Sequence, residues 1–309
     1  MTAGKQRKEL RRILNRWQLY LMLSIPTAFV VVFSYIPMSG IIIAFKSYNL
    51  RDGIWDSPWA GLTQFLNFFS SVNFIKILKN TLTVSLYSLT VGFVFPVLFA
   101  LLLNAFPGRR YKKMIQTVTY IPHFISTVII VSIIFQLVDS RMGMYGNLYR
   151  LITDRQAPNL LSRGQNFYHL YVWSGVWQNC GYNSIMYFAA LSGVDLSLHE
   201  AATIDGASRW QRVKYIDFPT ILPTVCIMFI LQIGKLMNVG YAKTLLMQND
   251  LNISYSEVIS TYVYKIGIAA GVPNYSYSTA IGLFNSVVNL LLLYIANQIT
   301  NKINGYGIF

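Results

Sequence analysis

Acidic residues are scarce in this chain: Asp and Glu number 11 against 25 Lys and Arg, and charged residues make up only 12% of the sequence. Soluble domains carry about 25% charged residues. A chain with half that share and 54% hydrophobic residues reads as an integral membrane protein. No Asp or Glu falls in the middle of an apolar stretch, with Asp139 at an edge. That counts against an ion-coupled secondary transporter, which needs membrane-embedded carboxylates or paired charges. The three histidines, His123, His169 and His199, stand on different segments with neither metal-ligand spacing nor a Ser/His/Asp grouping. That counts against a membrane-embedded enzyme. Cys180 and Cys226 lie in separate apolar stretches at different depths, so no disulfide is expected. The phosphate-binding pattern Gly-x4-Gly-Lys-Ser/Thr is missing too: Gly4-Lys5 and Gly234-Lys235 lack the upstream glycine or the hydroxyl residue.

Long hydrophobic runs are what the chain does have. Six are long enough to cross about 30 Å of hydrocarbon: Leu19 to Phe45, Ile77 to Ala105, Met114 to Val138, Phe167 to Gly193, Leu222 to Met247 and Ser276 to Thr300. Backbone groups in lipid must be satisfied within the segment, so each run is expected to be a helix. The expected fold is all-α and polytopic, with six transmembrane helices. A basic arm covers 1–18 and one six-span domain covers 19–309. The first run is too long for a signal-peptide core and no small-x-small site closes it, so it reads as a retained span.

Lys and Arg set the orientation. The arm from Lys5 to Arg16 holds six, the turn Pro107 to Lys113 four, the loop between spans four and five three, and the tail one. The opposite loops hold nine over a longer stretch. The positive-inside rule therefore puts both termini, the Arg109-Arg110-Tyr111-Lys112-Lys113 turn and the 194–221 loop in the cytoplasm. The net charge of +14 is explained by this bias and by anionic lipid heads, with no nucleic-acid partner. On the other side, Asn147 to Ile152 and Glu257 to Ile268 have helical apolar spacing and read as surface helices, and Gly271-Val272-Pro273-Asn274 as a turn into the last span.

The 194–221 loop is polar and built for rigidity. Leu196 to Asp205 is rich in helix formers, Asp195 or Ser197 can cap it, and Gly206 can end it in a left-handed conformation. Trp210 to Tyr215 forms a second helical stretch, and Pro219 and Pro223 restart the chain at the next span. Ala201 and Ala202 leave one face without bulk, so that another surface can approach closely. Glu200-Ala201-Ala202, three residues, Gly206, nine residues, Ile216, Asp217, Phe218 and Pro219 follow the spacing EAA-x3-G-x9-I-x-L-P, with Phe218 where the pattern has Leu. This spacing resembles the coupling loop of ABC-transporter permeases of the binding-protein-dependent import type. The resemblance implies that Glu200, Ala201, Ala202, Asp205, Gly206, Ile216, Phe218 and Pro219 couple the chain to an ATPase dimer, which carries ATP and Mg, leaving no cofactor and no catalytic residue on this chain. At lower specificity, Asn238 to Leu246, Ser260 to Tyr264 and Tyr277 to Ser286 look like the sugar-importer branch, in particular its permeases for oligosaccharides and polysaccharide fragments. That likeness implies a second, non-identical permease, an external sugar-binding lipoprotein and an oligosaccharide substrate.

Polar side chains inside spans are costly and face protein or water. The set is Gln178, Asn179 and Asn183 on the fourth span, Gln232, Lys235 and Asn238 on the fifth, and Asn285 and Asn289 on the sixth. Amides match sugar hydroxyls in offering both donors and acceptors. The alternative is that they bond helix to helix, at about 0.6 kcal/mol each. In a continuous fifth helix Lys235 would lie about 20 Å deep, where a lysine costs about 2.5–3.5 kcal/mol. It requires a carbonyl, a cavity or an acidic sugar. Lys243 is expected to snorkel to the outer surface. Tyr255, Tyr262, Tyr264, Tyr275 and Tyr277 flank outer span ends, as an interfacial aromatic belt does.

Overall fold

In the computed structural model, residues 16–305 and 307 are described; most of the expected basic arm, residues 1–15, lies outside them. The described chain is helical from end to end apart from its connections, with a single isolated β-bridge between Lys46 and Trp59. Among the described residues four helices are long and apolar enough to cross a membrane: α1 (Trp17–Phe45), α3 (Phe74–Ala105), α10 (Arg209–Ile233) and α13 (Tyr275–Asn304). Besides the single-turn helices Gly53–Asp56 and Ile253–Ser256, the remaining elements are α2 (Thr63–Phe69), α4 (Arg109–Phe124), α5 (Thr127–Val138), α6 (Met144–Thr153), α7 (Asn166–Asn183), α8 (Ile185–Leu191), α9 (Leu196–Ile204), α11 (Tyr241–Met247) and α12 (Ile259–Tyr264).

The first, second and sixth expected spans are single helices. The other three are not continuous, and each departure has a local cause. The third bends by 104° between α4 and α5, where Pro122 closes a tight helical turn and Ser126 caps the new helix. The fourth is α7 followed by the short α8. Amides, hydroxyls and aromatics leave α7 too polar to count as an apolar span, although its helix is intact. The fifth stops at Ile233, passes through a turn over 234–240, and resumes as α11.

Proline does not restart the chain at 219. Helix α10 runs without a break from the polar loop through Pro219 and Pro223. A wide turn at Val213–Asp217, in which the Phe218 N–H reaches back to the Val213 carbonyl, precedes Pro219. The same device, Val31–Tyr35, precedes Pro37 in α1. A proline ring clashes with the carbonyl four residues back and donates no hydrogen bond. One widened turn absorbs both defects and keeps the helix going.

Three apolar cores hold the bundle. At one end Val97, Ala100 and Leu101 of α3 pack on Tyr187, Leu191, Val213 and Ile221. In the middle and towards the other end, Val84, Val131, Phe167 and Val258 close around Val239, and Phe68, Ile77, Ile259 and Ile281 around Met237. The 234–240 turn is thus enclosed by two cores. Helix α1 behaves differently: from Trp17 to Met38 its large apolar side chains are exposed, and only its last turn is packed, with Ala44 buried. Helices form where surface helices are expected, α6 over Met144–Thr153 and α12 over Ile259–Tyr264 with a wide turn to Ala269, but α12 is not a surface helix: Ile259 and Thr261 are buried within the bundle. Asn274 caps α13 by accepting from the Tyr277 N–H at 3.0 Å.

Candidate functional site: a projecting hairpin and a polar cleft

The 194–221 loop forms a hairpin of two helices. Asp195 accepts the Ser197 N–H at 2.9 Å and so caps α9, and these hydrogen bonds hold its carboxyl below the usual carboxylate range. At the far end Gly206 has φ of +76°, and Ala207 donates to the Ala202 carbonyl across it. Ser208 and Gln211 then form a reciprocal cap that starts α10. Glu200, Ala201, Asp205 and Gly206 are exposed, and Ala202 is half-buried. Glu200 has no partner among the described residues. Ile204, 86% exposed, and Trp210, 64% exposed, add apolar surface beside them. Of the remaining coupling candidates, Ile216 lies in the wide turn and is half-buried, whereas Phe218 and Pro219 are exposed further along α10.

One carboxylate ties this hairpin to the bundle. Asp217, 2% exposed, lies 3.1 Å from His199 Nε2 on α9 and accepts from Asn104 Nδ2 on α3 at 3.4 Å. Lys112 of the basic turn donates to the Asn104 carbonyl at 2.6 Å, and Arg212 donates to Thr203 Oγ1 at 2.9 Å. The basic turn and the hairpin therefore share one end of the bundle. Asp217 falls inside the motif, but nothing in the spacing marks it as buried or names His199 and Asn104 as its partners.

The second polar region is a cleft in two lobes. One, about 370 Å³, is lined among others by Ser85, Ser88, Tyr171, Gln232, Lys235 and Asn238. The other, about 300 Å³, is lined among others by Ser88, Tyr171, Gln178, Asn179, Asn183, Gln232 and Lys243. Ser88, Tyr171 and Gln232 belong to both, so the lobes adjoin.

Six of the eight intramembrane polar candidates line this cleft, and two do not. Asn289 is buried, accepts the Met237 N–H at 2.9 Å and donates to Asn238 Oδ1 at 3.0 Å; Asn285 donates to the same oxygen at 2.8 Å. These two satisfy the 234–240 turn, the helix-to-helix alternative. Asn238 does both jobs. At the other interruption Gln178 Nε2 donates to the Ile125 carbonyl at 3.3 Å, and Asn179 Oδ1 lies 2.9 Å from His123 Nδ1. The His123 ring stacks on Tyr182 at 3.6 Å. His123 is thus a bonded member of the break, not the isolated residue that its sequence position implies.

Both lysines depart from expectation. Lys235 is not deep in a continuous helix: it sits in the turn after Ile233, exposed to the cleft, with no partner among the described residues. Lys243 does not snorkel. It donates to the Tyr171 carbonyl at 2.9 Å with its ammonium 4.7 Å from that ring's centre, because Tyr171 offers a carbonyl and an aromatic face together. The sequence reading missed Lys243 and Tyr171 as cleft residues, since only packing brings α11 against α7.

Comparisons with known proteins show the family and the fold. The profile of the binding-protein-dependent transport system inner membrane component matches residues 92–305. The chain is 39% identical over 309 residues to protein LplB of Bacillus subtilis (strain 168), covering 100% of this chain and 96% of that one. It is 36% identical to the polygalacturonan/rhamnogalacturonan transport system permease protein YteP of the same strain, covering 99% and 94%. Among solved structures it is similar, with a TM-score of 0.87 at 34% identity, to a bacterial ABC transporter involved in the import of the acidic polysaccharide alginate, covering 96% of this chain and 99% of that one. The same figures hold for a bacterial alginate ABC transporter in complex with alginate pentasaccharide-bound periplasmic protein.

Proposed function

The chain belongs to the family of binding-protein-dependent transport system inner membrane components, and on that premise we propose that it is one of two non-identical permeases in an ATP-driven oligosaccharide importer. It is a membrane permease subunit without enzymatic activity of its own; ATP hydrolysis belongs to separate subunits. In this reading the chain crosses the membrane six times, with the termini, the basic turn and the hairpin in the cytoplasm. The fourth crossing is the polar α7 with α8, and the third and fifth are the interrupted ones.

An ATPase dimer holding ATP and Mg grips the exposed face of α9 around Glu200, Ala201, Asp205 and Gly206. An external sugar-binding protein delivers the saccharide to the cleft. The saccharide class is supported by the relatives that serve polygalacturonan, rhamnogalacturonan and alginate. Closure of the ATPases on ATP moves the hairpin, and α10 carries that movement to Gly234 at the edge of the cleft. The cleft alternates between the two faces of the membrane, and hydrolysis resets it.

The observation that carries this reading is the rigid hairpin, capped at both helices, with its small-residue face and apolar flank exposed. In the reconstituted importer, Glu200→Lys or Gly206→Val is expected to leave the assembly intact and abolish saccharide-stimulated hydrolysis and uptake. Valine at 206 is strained by the positive φ even though the space around it is open. Normal uptake by both variants would refute the coupling role.

A further inference from the structure

The cleft contains two ammonium groups and no acid. Lys235 lines one lobe and Lys243 the other, and neither lobe has an Asp or Glu in its lining. Two acids packed into the bundle are engaged elsewhere: Asp217 faces His199, and Glu257 lies 3.2 Å from Lys265 and 4.0 Å from Lys76. Lys235 has no partner among the described residues. Lys243 gives one hydrogen bond to the Tyr171 carbonyl, and an ammonium has three to give.

The surroundings keep both groups available. Lys235 is carried on a turn pinned by Asn289 and by Asn238, so its backbone is fixed while its side chain is exposed. Opposite Lys243 stands Gly175, where even a Cβ would come within 3.4 Å of the ammonium; the missing side chain leaves room beside the charge. Gln178, Asn183 and Gln232 add neutral donors and acceptors between the two charges. Charges of one sign in a concave site with low-dielectric walls focus their field on whatever enters. A neutral saccharide supplies hydroxyls for the amides and nothing for the cations. A saccharide with a carboxylate on its sugar rings supplies both.

We infer that this cleft is built for an acidic oligosaccharide, with Lys235 and Lys243 as the residues that read its carboxylates. The inference rests on the saccharide-importer reading above and specifies the class of its substrate.

The test uses the complete importer in proteoliposomes, with its own binding protein. Short oligomers of galacturonate, mannuronate and guluronate are compared with their methyl esters and with neutral gluco- and xylo-oligomers, by uptake and by stimulation of hydrolysis. Acidic oligomers are expected to be taken up. Lys235→Gln and Lys243→Gln should each raise the KM for them and narrow the acid-to-ester ratio by about tenfold, the factor one charge-assisted hydrogen bond is worth. Lys235→Arg should restore the ratio. The binding protein is the same in every variant, so a changed ratio belongs to this chain, and Lys235 breaks no contact when replaced. Uptake of neutral oligomers or esters equal to that of acids would overturn the assignment and leave the importer standing. So would an acid-to-ester ratio unmoved in both Gln variants. If no saccharide of any kind is taken up or stimulates hydrolysis, the importer reading itself falls.

Discussion

The hairpin and the cleft are both polar regions in an apolar chain, yet they are held in opposite ways. The hairpin is short, capped from within, and joined to the bundle by the buried carboxylate of Asp217, which faces α9 and α3 at once, and by Val213 and Ile221 in the apolar core. The cleft is assembled from α3, α7, α10, the 234–240 turn and α11, and its order is spread over many weak amide contacts. In the proposed function the hairpin transmits force, and its anchorage is compact: one polar junction beside a small apolar contact. In the proposed function the cleft accommodates a saccharide, and its bonds are divided among groups that can exchange partners.

This contrast predicts a ranking of effects. Asp217→Ala leaves His199 and Asn104 without their common acceptor, and is expected to cost about 3 kcal/mol, the upper end for removing the partner of buried polar groups. Thermal unfolding of the purified assembly would measure it, and hydrolysis should be uncoupled from uptake. An unshifted melting temperature would show that the hairpin has other anchors. Asn289→Ala strands the buried Met237 N–H and should cost about 1–3 kcal/mol, clearly more than Asn285→Ala. Equal effects would mean that Asn238, not the backbone turn, is what matters. Gln178→Ala removes one long hydrogen bond to the Ile125 carbonyl, for about 0.5–1.5 kcal/mol. Smallest of all should be Asp195→Ala, and it should depend on pH. The Asp195 carboxyl is held below its ordinary value by the Ser197 N–H, so its contribution is full above the ordinary carboxylate range. It is lost as the pH falls through the depressed value. The gap between wild type and variant should close on acidification, and a gap independent of pH would remove Asp195 from the account.

The same contrast explains how much could be read from the sequence. The hairpin is a linear object: Asp195 and Gly206 act on backbone within a few residues of themselves and are legible from spacing, whereas the Ser208 cap is seen only in the structure. The unbroken helices α1, α3 and α13 are legible because each carries a long apolar run. The interruptions were not legible. Gly234 and Ser126 are ordinary residues in apolar runs, and the helix can stop there only because Asn289 and Gln178, distant in sequence, take up the exposed backbone groups. The amides were recognisable as functional or structural, but which was which depended on the break each one faced. Proline misled in the other direction. Pro219 reads as a boundary, and the wide turn at Val213–Asp217 that cancels it has no signature in residue type.

That cancelled proline has a mechanical consequence. With no stop at 219, Arg209–Ile233 is one rod of 25 residues, about 37 Å from end to end. A tilt of about 5° at its foot displaces its tip by about 3 Å, roughly the length of one hydrogen bond. The tip is Ile233, and the next residues are the turn that bears Lys235. A stroke of that size is enough to make or break the amide bonds that seat the turn, so in the proposed importer a tilt of the hairpin would exchange bonding partners beside the saccharide.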